Sequence, residues 1–270
     1  MAMVTFPPCK INLGLRILSK RTDGYHDIST CFFPLPFTDV LEILPADKFT
    51  FTQTGLTIAG ETQENLCLKA YQLLRKELDL PPVHIHLHKM IPMGAGLGGG
   101  SSDAAWTLRT LNSIFNLNRT TAQLVARATE IGSDCPFFIQ DLPAIGSGRG
   151  EVLEPSGVKL SGFFLVLVKP EIHVSTAEAY SNVKGEFSLG NIRSIVMQPM
   201  EDWKSNLIND FEPSVFKQHP SLSRIKDKMY SLGAVYSSMS GSGSAVYGIF
   251  DKQVSIENHF SGQVCFAGWL

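Results

Sequence analysis

Five of the seven residues from Gly94 to Gly100 are glycine, and the run opens onto Ser101-Ser102-Asp103-Ala104-Ala105-Trp106-Thr107-Leu108, a capping residue followed by helix formers. Glycines let successive backbone N–H groups converge on an anion without Cβ obstruction. The helix behind them adds unpaired N–H groups and the positive end of its dipole. The stretch therefore predicts a phosphate cradle. The plainer alternative is a flexible linker, but linkers are not normally poised between an apolar strand and a capped helix. A Walker-type loop requires Gly-Lys-Ser/Thr at its end, and no lysine follows Gly100. The spacing Gly94, Gly96, Gly99 does satisfy a dinucleotide fingerprint, yet no acidic residue stands near Arg119 to Thr121 to bind a ribose. A triphosphate held by backbone and hydroxyls fits better, with its cationic partner supplied from elsewhere in the chain.

Composition removes other classes. With 23 Lys+Arg against 25 Asp+Glu, the formal net charge is −2, leaving no basic excess for a nucleic-acid backbone. No apolar run approaches the roughly 20 residues needed to span a bilayer. The start of the chain shows no basic segment leading into an apolar one, so no secretory signal is expected. Five scattered cysteines, Cys9, Cys31, Cys67, Cys135 and Cys265, form no Cys-x-x-Cys pair, which predicts reduced thiols and a cytoplasmic protein.

Along the chain, Ile11, Leu13, Leu15 and Ile17 alternate with Lys10, Asn12 and Arg16, a half-buried strand with Lys10 and Asn12 on one face. Further strands are expected at Val40 to Leu44, Phe49 to Thr52 and Val83 to His88. Helices are expected from an Asn65 cap to Leu78 and over Thr121 to Ile131, ending at Gly132. Pro155-Ser156-Gly157 is the best boundary signal, dividing the chain into residues 1–155 and 156–270. Beyond it come a strand at Phe163 to Val168, helices near Thr176 to Val183 and Leu222 to Leu232, and strands at Ala234 to Met239 and Ala245 to Phe250. Helices and strands mix without the alternation of a doubly wound fold, so the class is α+β.

Several residues could serve chemistry. A kinase needs a group that takes or orients the acceptor hydroxyl proton and a cation beside it. Asp134, after a helix end, and Lys10, on a strand, are of the right types, although singly the one reads as a turn residue and the other as a snorkelling side chain. Ser240-Gly241-Ser242-Gly243-Ser244 is a second glycine-serine loop, or simply a hairpin. Tyr25-His26 offers an aromatic face and a switchable ring suited to a flat heterocycle. His84, His86 and His88 put three imidazoles on one strand face. That geometry invites a metal, but no carboxylate or cysteine lies close by in sequence, and a polar strand face with adventitious nickel or zinc affinity is expected.

Taken together, these pieces resemble the GHMP kinases. The matching stretches are Pro8-Cys9-Lys10-Ile11-Asn12-Leu13, Arg21-Thr22-Asp23-Gly24-Tyr25-His26, Pro92-Met93-Gly94 through Ser102, Gly132-Ser133-Asp134-Cys135-Pro136, Gly146 to Glu151 and Met239 to Ser244. The Arg-x-x-Gly-Tyr-His type opening is similar to the branch whose acceptor carries a cytidine diphosphate. The resemblance implies a two-domain α+β fold with ATP and substrate in the cleft between the domains. It also implies transfer of the γ-phosphoryl of ATP to the 2-hydroxyl of 4-diphosphocytidyl-2-C-methyl-D-erythritol, a step toward isoprenoid precursors. By position, Asp134 would be the base and Lys10 its electrostatic partner. Pro92, Met93, Gly94, Ala95, Gly96, Leu97, Gly98, Gly99, Gly100, Ser101 and Ser102, with Gly241, Ser242 and Gly243, would bind ATP. Tyr25 and His26 would meet the cytosine, and Asn12 the diphosphate or acceptor hydroxyl. ATP would enter with magnesium, for which the sequence assigns no acidic ligand, Ser102 being a contact to consider. A different acceptor (homoserine, mevalonate or a sugar) and a non-catalytic nucleotide-binding module are the competing readings.

Overall fold

The clearest local signals sit at helix ends. Asn65 Oδ1 accepts the Cys67 N–H at 2.9 Å, and Thr120 and Gln123 form a reciprocal capping box, so these helices begin where their side chains can satisfy the first-turn donors. The computed structural model describes residues 2–57, 64–181, 191–256, 259–260 and 262–270. In chain order the elements are β1 (Met3–Thr5), β2 (Pro8–Lys20), β3 (His26–Thr38), β4 (Val40–Pro45), β5 (Thr50–Gly55), α1 (Leu66–Leu78), β6 (Val83–Lys89), α2 (Gly99–Ile114), α3 (Thr121–Ile131) and α4 (Cys135–Gln140). There follow β7 (Ala144–Ser147), β8 (Val152–Pro155), β9 (Phe164–Val168), α5 (Thr176–Ser181), α6 (Ile192–Val196), α7 (Trp203–Asn206), α8 (Glu212–Gln218), α9 (Pro220–Ser231), β10 (Tyr236–Met239), β11 (Val246–Phe250) and β12 (Val264–Trp269). Residues 182 and 183 of the helix expected over Thr176 to Val183 lie outside the described residues. Helices and strands mix as expected of an α+β fold.

The described residues pack as two units. One takes those within Met1–Lys10, Pro34–Met93 and Gly98–Leu142, the other those within Ile11–Phe33, Gly94–Leu97 and Pro143–Leu270. The expected division after residue 155 cuts the sequence once, whereas the chain passes repeatedly from one unit to the other.

The first unit holds a sheet of order β1-β4-β6-β5, in which β4 runs antiparallel to β1 and β6, and β5 parallel to β6. Leu41, Ile43, Ile85 and Leu87 are fully buried, as are Ala104, Leu108 and Leu111 of α2, which packs on β4 and on α1. Register places Thr50, Thr52 and Thr54 beside His84, His86 and His88. Thr54 Oγ1 lies 3.0 Å from His86 Nε2 and 2.9 Å from His88 Nδ1, and Thr52 Oγ1 lies 3.3 Å from His84 Nε2. Among the described residues no group of three His, Cys, Asp or Glu is placed to hold a metal. The three histidines form a hydroxyl-bonded polar strand face.

At the end of α4 a titrating group is built into the same unit. The Asp141 backbone is left-handed (φ 57°), and its Oδ1 is buried without a partner. Burial raises the Asp141 carboxyl to about 6, against the opposing pull of Arg109, whose guanidinium lies 3.8 Å over the Trp106 ring. A raised folded-state pKa means that the native state holds its proton more tightly than the unfolded chain. The associated stability is complete below the unfolded value near 4 and is lost as pH rises through about 6. Asp141→Asn tolerates the left-handed backbone and carries no charge. It is expected to flatten the urea-unfolding stability between pH 4 and 7 and to exceed the parent at pH 7; an unchanged pH profile would rule out this source.

The second unit contains two sheets, of order β2-β3-β7-β8 and β10-β11-β9-β12. In the latter β11 and β12 flank β9 antiparallel. Leu15 and Ile17 of β2 share a core with Phe211, Val215, Leu222, Met239 and Val246, while Phe164, Val166 and Val168 pack with Met229 and Phe250. The half-buried pattern expected for β2 is not what forms: Pro8 to Leu15 are all buried, Lys10 and Asn12 included. All five cysteines are free thiols, and burial lifts Cys31 and Cys135 to about 12. No helix among the described residues is long and apolar enough to cross a membrane.

Candidate active site

The glycine run is shaped by close approaches. At Gly96 (φ +74°) a Cβ would collide with the Ser240 carbonyl oxygen. At Gly98 (φ +69°) it would stand 3.0 Å from the Phe138 ring and 3.2 Å from Lys10 Cε. Only glycine satisfies both the space and the left-handed backbone. Helix α2 starts at Gly99, three residues before the start that a Ser101 cap predicts, and its N-cap Gly98 has no side chain to cap it. Its first-turn N–H groups therefore have no intrahelical acceptor and no cap. At Gly100 a Cβ would make only ordinary van der Waals contact, its nearest neighbour 3.7 Å away. An anion is the natural partner of such an end. Ser102 Oγ, in the same turn, is buried without a partner.

One buried ionic cluster joins the end of β6 to the first turn of α2. Lys89, the last residue of β6, donates to Asp39, and to Asp103 Oδ2 of α2 at 2.8 Å; the side chains are 0%, 0% and 3% exposed. Asp39 also accepts the N–H groups of Met90 at 2.5 Å and Ile91 at 2.8 Å. Burial opposes the charge on Lys89, but Asp103 and Asp39 together raise its pKa, so the ammonium persists. Asp103, with Oδ1 unpartnered, is pushed well above the carboxylate range by burial, against the pull of Lys89.

In the same unit Lys10 Nζ stands 3.5 Å from Asp134 Oδ2, the lysine side chain 4% exposed and the aspartate 32%. Asp134 precedes α4 but makes no capping bond with its side chain. Asp134 lies in the turn that leads into α4. A buried ammonium holds a carboxylate that solvent can reach.

In the second unit the chain draws together three stretches that are distant in sequence. Ser240 Oγ donates to Gly96 O at 2.8 Å and accepts the Asn12 N–H at 3.2 Å, while the Ala245 N–H donates to Ala95 O at 3.1 Å. Asn12 Nδ2 donates to Thr30 Oγ1 at 2.9 Å, and Tyr247 donates to the Asn12 carbonyl at 2.8 Å. The Asn12 carboxamide is thereby engaged by the protein. Gly94 lies against the His173 ring, where a Cβ would come within 2.8 Å.

Tyr25 is 57% exposed, with the Arg149 guanidinium 4.9 Å over its ring. His26 stacks on Tyr180 with centroids 4.7 Å apart and planes 15° from parallel, and Tyr180 meets Phe211 edge-on at 4.8 Å. Burial, and then the charge of Lys20, hold the His26 imidazole below its usual value, so its ring is neutral near pH 7 with one donor and one acceptor nitrogen. Arg149 lies in the Gly146 to Glu151 stretch, but Tyr180 has no sequence signal of its own and is singled out only by the rings it touches.

Two family models match the chain: "GHMP kinases N terminal domain" over residues 65–148 and "GHMP kinases C terminal" over residues 191–259, together more than half of it. The chain belongs to the GHMP kinase family. Among GHMP kinase relatives, a protein of Cytophaga hutchinsonii named 4-diphosphocytidyl-2-C-methyl-D-erythritol kinase is 48% identical over 98% of this chain and 99% of its own. A Bacteroides fragilis protein of the same name is 47% identical over 98% of each. A crystal structure of 4-(cytidine 5'-diphospho)-2C-methyl-D-erythritol kinase superposes with a TM-score of 0.80 at 33% identity, covering 92% of this chain and 90% of that one. A homoserine kinase from Cytophaga hutchinsonii (TM-score 0.73, 15% identity, 93% and 86% coverage) shares the GHMP kinase fold.

Proposed function

We propose that this GHMP kinase transfers the γ-phosphoryl group of ATP to the 2-hydroxyl of 4-diphosphocytidyl-2-C-methyl-D-erythritol, giving the 2-phosphate and ADP in the non-mevalonate route to isoprenoid precursors. The acceptor is supported by the full-length relatives that carry its name. The chemistry rests on one observation, the Lys10–Asp134 pair. In phosphoryl transfer the protein chiefly positions and neutralises. Asp134 accepts the proton of the acceptor hydroxyl as its oxygen bonds to the γ-phosphorus and the bond to the β,γ-bridging oxygen breaks. Lys10, held beside that carboxylate, favours the charge developing on the acceptor.

The uncapped start of α2, with residues Pro92 to Ser102, suits the triphosphate, as do Gly241, Ser242 and Gly243. ATP enters with its magnesium, as co-substrate. Magnesium keeps several waters and is held largely by phosphate, which suits a protein whose described residues hold no three-ligand cluster but leave the Ser102 hydroxyl buried and unpartnered. Tyr25 and the neutral His26 suit a cytosine face and its hydrogen-bonding edge. Asn12, committed to Thr30 and Ser240, would act by fixing that stretch of β2 toward the acceptor. The free thiols support a reducing, cytoplasmic setting.

The experiment is ADP release with Mg-ATP and each of four acceptors: the cytidine compound, homoserine, mevalonate and galactose. Release stimulated by the cytidine compound alone supports the reading; release with another acceptor overturns the choice of substrate, and silence with all four overturns the activity. For the base pocket, Tyr25→Ala and His26→Ala are each expected to raise KM for the cytidine substrate about tenfold or more, the loss of a stack or of a hydrogen bond to a buried edge. KM for ATP should move less than twofold. Equal shifts in both constants would remove the pair from the base pocket.

A further inference from the structure

Asn209 is fully buried, and both of its Nδ2 donors and its Oδ1 are hydrogen-bonded to backbone. Nδ2 donates to the carbonyls of Met239 and Gly241, both at 2.8 Å, and Oδ1 accepts the Phe211 N–H at 3.0 Å. Asn209 also forms a parallel bridge with Leu15 of β2, flanked by bonds from Leu15 N to Ile208 O and from Asp210 N to Leu15 O, both 2.9 Å. One residue thus ties the strand carrying Asn12, through its backbone, to the two carbonyls that bracket Ser240, through its carboxamide.

Turning the Gly241 carbonyl toward Asn209 points the Ser242 N–H to the other side of the same peptide plane; the Ser240 N–H, opposite the Met239 carbonyl, donates to Ala245 O at 2.9 Å. Gly241 (φ +54°) and Gly243 (φ +86°) take left-handed backbone, and the Gly243 N–H is used internally, donating to Ser240 O at 2.9 Å. Among the described residues no protein acceptor takes the N–H of Gly241 or of Ser242. Adjacent backbone donors in such a turn form an anion-binding concavity. Glu212 braces the same strand end, its Oε1 accepting from Met239 N at 2.8 Å and Ser238 Oγ at 2.9 Å.

We infer that Asn209 is a positioning residue for ATP: by holding the Gly241 carbonyl, it fixes the Gly241–Ser242 peptide plane and keeps the Ser242 N–H presented to a phosphate, while its bond to the Met239 carbonyl anchors the start of the loop. The inference rests on the reading of this loop as an ATP contact. Asparagine is needed because two donors and one acceptor must come from a single planar group; aspartate has the shape but no donor.

The test compares Asn209→Asp and Asn209→Ala with Met229→Ala, a core truncation of the same unit that touches neither loop nor strand β2. All three are expected to melt at lower temperature. Only the Asn209 variants should raise KM for ATP, by about tenfold or more, with KM for the acceptor within twofold of the parent. A shift in melting temperature with KM for ATP unchanged in both Asn209 variants would overturn the inference, leaving Asn209 merely structural. Ser242→Pro, which deletes that N–H group, separates the two levels. If it leaves KM for ATP unchanged, the loop does not hold ATP and the inference falls with that reading. If it raises KM while the Asn209 variants do not, the loop reading stands and the positioning role is lost.

Discussion

Asp134→Asn is expected to lower kcat about a thousandfold while ATP binding persists. General-base assistance contributes on the order of 10²–10⁴ in rate, and asparagine keeps the size of the side chain without its ability to take a proton. The fold should tolerate the change. The carboxylate is a third exposed and caps nothing, and the ion pair it forms with Lys10 has one solvent-facing partner, so its loss costs about 1 kcal/mol or less. The glycine run that suits the triphosphate does not depend on Asp134 for its shape, which is set by close packing at Gly96 and Gly98. ATP dissociation constants, ADP release and a melting curve on the same sample check all three parts. A kcat within tenfold of the parent, with melting unchanged, would take Asp134 out of proton transfer.

Lys89→Met carries the largest expected loss of stability, about 3–5 kcal/mol by urea denaturation. It would leave two carboxyl groups, Asp39 and Asp103, buried at 0% and 3% exposure without the ammonium that now lies between them. The remaining partners do not compensate. Asp39 keeps the Met90 and Ile91 N–H groups, but Asp103 has no other donor for Oδ2 and already has Oδ1 unpartnered. Because breaking a buried pair costs far more than replacing it whole, the triple variant Lys89→Met, Asp39→Asn, Asp103→Asn should recover most of the loss. A single variant within 1 kcal/mol of the parent, or a triple variant no better than the single, would show that the cluster is not what fixes this end of β6.

The elements that could be read from sequence are those whose ends are set by neighbours in the chain. α3 spans Thr121–Ile131 as expected, between a capping box and Gly132, and α1 starts beside its Asn65 cap. β3 was not legible. It runs for 13 residues through Pro34 and Pro36, where proline ordinarily argues against a strand. α2 took in Gly99 and Gly100, against their low propensity, because close packing on Ile91 and Lys89 leaves no room for a side chain at Gly99. The same distinction runs through the site. Lys10, Asp134, Tyr25 and His26 stand in recognisable local patterns. Tyr180, Asn209 and Asp39 acquire their partners only through long-range packing, so nothing around them in the chain marks them.

The repeated passage of the chain between its two units bears on how such an enzyme can be inherited and dissected. The first unit needs residues as far along as Leu142 before its last segment exists, and the second opens at Ile11 and closes at Leu270. Neither is a cassette that one cut in the gene could release. A break after residue 155 would strand Ile11–Phe33, Gly94–Leu97 and the β7–β8 hairpin on the wrong fragment. The two family-model matches are therefore blocks of shared sequence rather than separable folding modules. A recombination event that exchanged one of them would have to preserve packing contributed by the other.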